Sequence, residues 1–266
     1  MGTGMATGQA AGIAASLTAR GAFSAAETID RLRALAMRRI EPFLEGSAMK
    51  GIVAALTLGI RDAISDEQWA VLRATGTSHL VAISGLHIGL VAGWLFALAR
   101  WLALRFAPRS PVPWLAGGVG LAGALFYALL AGFALPTQRA LVMVAAGLFA
   151  LVAMRHIAVS RILALAAIVV VLWAPVSVIT PGFWLSFGAV AWLIYLGRVA
   201  TRRRVLGFIV LQLGLVAGLA PLSAWFFGQA SLIAPLVNAV LIPAAVVFVP
   251  ILLLATIAAL LLPGTA

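Results

Sequence analysis

The sequence predicts an all-α, polytopic transmembrane helical bundle, and three observations carry that expectation. Runs of about 20 apolar residues, the length that crosses a bilayer as a helix, recur from Leu80 to the end of the chain. Mean hydropathy is +1.15, with 64% hydrophobic and 9% charged residues, against roughly 25% charged in a soluble globular domain. The loops between the apolar runs alternate between arginine-rich and arginine-poor, the bias that orients helices in a membrane.

The elements follow in order. The start, MGTGMATGQAAGIAAS, lacks the basic region and the strong apolar stretch of a signal peptide. Residues 1–23 read as a linker or the boundary of a larger protein, and residues 24–79 as surface helices. Between 26 and 46, Ile29, Leu32, Ala36, Ile40 and Phe43 recur at three- and four-residue steps, with Asp30, Arg31, Arg33, Arg38, Arg39 and Glu41 between them. That pattern predicts an amphipathic helix lying at the headgroup boundary; the alternative is a helix packed on a soluble domain outside this sequence. Residues 48–60 are apolar but too few to cross a bilayer, which suits a re-entrant or interfacial helix. Residues 61–73 are polar and return the chain to the water surface.

Residues 80–266 read as the membrane domain, with about seven spans. They are Leu80–Ala99, Val112–Leu135, Ala140–Met154, Ile162–Thr180, Phe183–Gly197, Val205–Phe226 and Leu232–Leu262. The last holds Pro235, Pro243 and Pro250, so it is one kinked helix or a short piece followed by a full span. Loops 100–111, 155–161 and 198–204 carry Arg100, Arg105, Arg109, Arg155, Arg161, Arg198, Arg202, Arg203 and Arg204, whereas the intervening loops carry only Arg139. The arginine-rich loops are therefore expected in the cytoplasm, with the amphipathic helix and the stretch to His79 outside. No internal repeat of the kind found in many secondary transporters is visible.

Charge narrows the function. All seven acidic residues, Glu27 to Glu67, precede Trp69, while the net charge is +11. A membrane body without carboxylates lacks the acidic proton relay of many ion-coupled carriers, and it does not repel a polyanion. Cysteine is absent, which excludes disulfide and thiolate chemistry. The only lysine is Lys50, with no P-loop around it. No metal or cofactor is expected: His79 and His87 stand about 12 Å apart along a helix, too far to share one ion unless it breaks at Ser84-Gly85, and His156 lies in an arginine-rich loop.

The densest polar cluster is TGTSHLVAISGLHIG, residues 75–89. Thr77, Ser78 and His79 stand at the mouth of the first span, and Ser84 and His87 lie within it. Gly85, Gly89 and Gly93 fall four apart on roughly the opposite side, a smooth stripe suited to close helix packing. That leaves the Ser84/His87 face to meet a cavity, unless both side chains are simply satisfied within the protein. Ser84 with His87 lacks an acid to orient the imidazole, so no catalytic triad is expected. Two further segments stand out. PTQRA, residues 136–140, places Thr137, Gln138 and Arg139 on the arginine-poor side, as a plain loop or as a cation kept where an anion passes. TPGFWLSF, residues 180–187, is a tight turn with interfacial aromatics and Ser186.

These segments carry a resemblance. TGTSHLVAISGLHIG is similar to the signature of the ComEC family of DNA-uptake channels. LTLGIRDAIS (56–65), PTQRA and FWLSFGAVAWL (183–193) resemble that family in the same order. The resemblance implies a competence domain in the inner membrane that passes one DNA strand to the cytoplasm. It is expected to act as a conduit and not an enzyme, with Thr77, Ser78, His79, Ser84, His87, Thr137, Gln138, Arg139 and Ser186 as candidate path residues. The implied partners are single-stranded DNA, the lipid bilayer, a periplasmic DNA receptor, and a cytoplasmic translocase or single-strand-binding protein. Full-length family members tend to carry an OB-like domain and, in many cases, a nuclease domain; both are expected outside this sequence, which has three histidines and no HxHxDH-type cluster for the nuclease. The rival from another class is an intramembrane enzyme or carrier for a phosphorylated lipid, with His79, His87 and Arg139 on the phosphate. A structural anchor is the third.

Overall fold

The computed structural model describes residues 27–107, 111–153, 157–199, 204–228 and 233–261. Arg109, Arg155, His156, Arg202 and Arg203 lie outside the described residues, as does the linker 1–23. The described elements are helical: α1 (27–44), α2 (Lys50–Leu58), α3 (Asp66–Ala74), α4 (Ser78–Val81), α5 (Gly85–Phe106), α6 (Val112–Leu130), α7 (Leu135–Val152), α8 (Val159–Trp173), a 3-10 turn (Pro175–Ile179), α9 (Pro181–Val199), α10 (Arg204–Phe227) and α11 (Ala234–Leu261). Six of them, α5, α6, α7, α9, α10 and α11, are long and apolar enough to cross a membrane, and α8 is apolar but shorter at 15 residues. The chain is a multi-pass membrane protein.

The expected surface helix α1 forms, but it docks on the protein's own membrane helices. Ala36 and Ile40 are buried against Leu58 and Leu130, with Met37, Leu44, Ala259 and Leu260 around them. Arg33 Nε donates to the Leu58 carbonyl at 3.2 Å, satisfying one of the carbonyls orphaned at the end of α2. Its guanidinium also lies against Gly132. Leu32, Leu35 and Phe43 of α1 stay exposed. Helix α2 is the short non-spanning element expected from 48–60. It ends at Gly59, whose φ of +69° is the left-handed C-cap geometry, and a Cβ there would stand 2.6 Å from the Ala131 carbonyl oxygen. Helix α3 starts on a reciprocal cap between Ser65 and Gln68 and carries Asp66 and Glu67 in its first turn.

The first expected span is displaced. Its start at Leu80 belongs to the single turn α4; Ala82 and Ser84 are extended, and the spanning helix begins at Gly85. His79 and His87 therefore sit on separate elements. Helices α5 and α6 then form the most extensive pair in the bundle. The small residues in that contact come from α6: a Cβ on Gly120 would stand 2.9 Å from the Ala92 carbonyl oxygen, and one on Gly123 would collide with Leu95.

This corrects the expected packing seam. A Cβ at Gly89 or Gly93 would meet nothing within 4 Å, and one at Gly85 would meet only the Ala140 methyl at 3.6 Å. His87, on the other side of the helix, is fully buried. The two faces are opposed as expected, but their roles are exchanged. Among the described residues, tight glycine contacts lie on α6, as above, and on α10. Leu196 of α9 covers Gly214, and the Trp192 indole covers Gly218 while donating to the Gly214 carbonyl at 2.7 Å. Small residues four apart allow such close approach.

Helix α11 is one continuous helix with Pro243 and Pro250 inside it. Near its start, the Asn238 carbonyl accepts from Gln212 Nε2 in the first half of α10. Near its end, Ala259 and Leu260 pack with α1, Leu58 and Leu130. Both α10 and α11 thus run in the same direction, and the up-and-down order that holds from α5 to α10 stops there.

Candidate functional site at the motif end

Three of the segments singled out in the sequence meet at one end of the bundle. Gly85 approaches Ala140, joining the first turn of α5 to the second turn of α7, and Gly182 lies against the Arg139 guanidinium, joining α7 to α9. Ile83, Ile88 and Ala140 share a core cluster with Ala124, Tyr127, Ala128 and Ala131. The Tyr127 hydroxyl donates to the Leu56 carbonyl at 2.6 Å, tying the same cluster to α2. This is the motif end. The opposite end carries Arg100, Arg105, Arg161 and Arg198, all exposed.

Helix α5 starts here because Ser84 and His87 cap it. The Ser84 backbone N–H donates to His87 Nδ1 at 3.0 Å, and the Ser84 hydroxyl lies 3.3 Å from the same atom. The imidazole takes the place that Glu or Gln fills in a capping box. Because Nδ1 accepts, the network assigns the proton of the neutral ring to Nε2. That nitrogen is buried and has no partner. The outcome differs from both sequence readings: His87 is half satisfied locally and half left as a spare donor.

The other candidates divide. Thr77 is buried and its hydroxyl pairs with that of Thr75 at 2.8 Å. Thr137 Oγ1 donates to the Ala134 carbonyl at 2.7 Å, and Gln138 Nε2 donates to the Phe133 carbonyl at 2.8 Å. Those bonds shape the turn into α7, where Phe133 holds a positive φ of 49°. Ser78 and Ser186 are half-buried, and Ser186 stands on α9 beyond the turn that holds Gly182. His79 is exposed. Desolvation by neighbouring atoms lowers its pKa from the ordinary histidine value, and a hydrogen bond with the Gly76 backbone opposes that shift. Since the residue as a whole is exposed, the solvent screens much of the effect.

Arg139 is the strongest feature of the site. It is 5% exposed, and its Nε has no hydrogen-bond partner. It lines a cavity of about 240 Å³ between α7, α8 and the 3-10 turn, together with Gln138 and Ser177. Ser177 is 3% exposed, and its hydroxyl is also unpartnered. The sequence reading missed Ser177. Its only signal was a hydroxyl inside the apolar stretch after Pro175, ahead of the Thr180 turn.

A model of the family described as Competence protein matches residues 56–266. The chain is similar to Recombination protein 2 of Haemophilus influenzae, 32% identical over 92% of this chain and 33% of that protein. It is similar to Competence protein ComA of Neisseria gonorrhoeae, 41% identical over 73% of this chain and 28% of that protein. It is also similar to ComE operon protein 3 of Bacillus subtilis, 29% identical over 73% of this chain and 24% of that protein. The chain spans about a third of the length of these curated relatives, or less. No solved structure matches it.

Proposed function

Because this chain belongs to the competence protein family, we propose that it is the membrane domain that passes a single DNA strand into the cytoplasm during natural transformation. The observation that carries this reading is the family match over residues 56–266, which takes in the membrane helices α5 to α11. Physical chemistry supports it. The membrane body has no carboxylate after Glu67, so nothing in it repels a strand that bears one phosphate per nucleotide. The strand meets the motif end first, at Ser78, His79 and Ser84, with His87 Nε2–H as a donor looking for an acceptor. It leaves past Arg100, Arg105, Arg161 and Arg198, exposed cations of the kind that track nucleic-acid backbones.

In this reading the domain sits in the bacterial inner membrane with its motif end toward the periplasm. It is a conduit and not an enzyme. A periplasmic receptor delivers the DNA, and a cytoplasmic translocase or single-strand-binding protein supplies the pull. The test is donor-DNA tracking in a naturally transformable host that expresses the full-length protein with residues 56–266 deleted. Labelled DNA should then accumulate outside the inner membrane. Arrival of single strands in the cytoplasm at the parental rate would end the reading.

A further inference from the structure

We propose that the cavity between α7 and α8 holds the phosphate of a membrane phospholipid headgroup. Two buried side chains, each with a polar atom that lacks a partner, contribute to the wall of one cavity. Arg139 is 5% exposed with an orphaned Nε, and Ser177 is 3% exposed with an orphaned hydroxyl. Both line the same cavity. A buried cation without a counter-ion is costly in a membrane. Every carboxylate of the chain lies at Glu67 or before it, and no ion pair with Arg139 exists among the described residues. An anion from outside the chain fits this arrangement. A phosphodiester oxygen takes the guanidinium N–H groups as a charge-assisted bond, and Ser177 donates to a second oxygen.

The walls select the kind of phosphate. The cavity is lined mostly by apolar side chains and opens beside Leu135, Val169 and Trp173, all exposed on the bundle's flank. Sites that hold single-stranded DNA present a groove of several cations along the strand, and this cavity offers one. One phosphate with hydrocarbon beside it is a phospholipid. The cavity lies at the end of α8, lined by Trp173, Ala174 and Ser177, where the apolar surface passes into the 3-10 turn with Val176 and Ile179 exposed. This takes Arg139 out of the strand path suggested by its sequence position and makes it a lipid anchor.

The test is native mass spectrometry of the full chain released from micelles doped with phosphatidylglycerol. The parent should retain the lipid. Arg139→Gln should retain it about tenfold less, the equivalent of one charge-assisted hydrogen bond, and Arg139→Lys should fall between them. Ser177→Ala removes one hydroxyl and leaves the apolar packing intact, so its loss of about threefold is readable even where Arg139→Gln unfolds. Equal retention by the parent, Arg139→Gln and Ser177→Ala would overturn the proposal. So would displacement of the lipid from the parent by added oligothymidylate, which would assign the cavity to the strand. Either result leaves the uptake role standing, since that role rests on other residues.

Discussion

The Arg139 guanidinium lies so close to Gly182 that a Cβ at position 182 would come within 2.7 Å of Nη2. Two sequence segments 43 positions apart therefore meet in one contact: the glycine of TPGF leaves the space that the arginine of PTQRA occupies. Gly182→Ala should push the guanidinium toward the cavity mouth. The displaced atoms end a flexible side chain, so the stability loss should be small, about 1 kcal/mol. Thermal unfolding in detergent measures that loss, and phosphatidylglycerol retention measures the displacement. Unchanged retention in a folded Gly182→Ala protein would mean that the head group does not depend on this space.

His87 has two functions that substitution separates. His87→Gln keeps an acceptor at the third helical position, as in an ordinary capping box, and should fold close to the parent. His87→Ala loses that acceptor and should be destabilised by about 1 kcal/mol from the cap alone, with more from the space left in a fully buried site. If Nε2–H serves the DNA strand, uptake should fall in both variants, including the one that folds normally. Parental transformation frequency in His87→Gln would confine the residue to capping.

The two glycine stripes should respond oppositely. Gly214→Leu and Gly218→Leu force a side chain into Leu196 and the Trp192 indole and should lower the yield of folded protein sharply, since such overpacking costs about 1–3 kcal/mol or more. Gly89→Leu and Gly93→Leu enter open space and should purify and melt like the parent. The reverse ranking in a fluorescence-detected chromatography screen would show that the α5 stripe is the structural seam.

Topology offers a test of α11. A reporter placed between 198 and 204 should report from the cytoplasm, following the arginine bias. One fused after residue 261 should report from the opposite side, because Ala259 and Leu260 pack with α1 and with Leu130 at the end of α6. Both reporters on one side would mean that α11 descends, contrary to its contact with Gln212 near its own start.

Much of the molecule was legible because membrane composition leaves few choices. Apolar runs of spanning length must be helical when no water is available to the backbone, so the spans and the short helix at 50–58 could be read directly. The break before Gly85 could not, because Leu80–Val81 and Ile83 are as apolar as the span itself. Only the cap formed by Ser84 and His87 shows where the helix starts. The apolar side of α1 was visible, but not what it covers. Ala36 and Ile40 read the same whether a helix rests on lipid or on another helix.

Sequence alone determined the all-α membrane architecture, the family, the carboxylate-free body and the segments that matter, since each depends on composition, period or local order. Tertiary structure decided which face of α5 is buried, which glycines form seams, and that Arg139, Ser177 and Gly182 share one place. In lipid, every face of an apolar helix is equally acceptable to the surroundings. The hydrophobic pattern that marks the inside of a soluble protein is therefore silent, and only shape, hydrogen bonding and the few buried charges choose the partners.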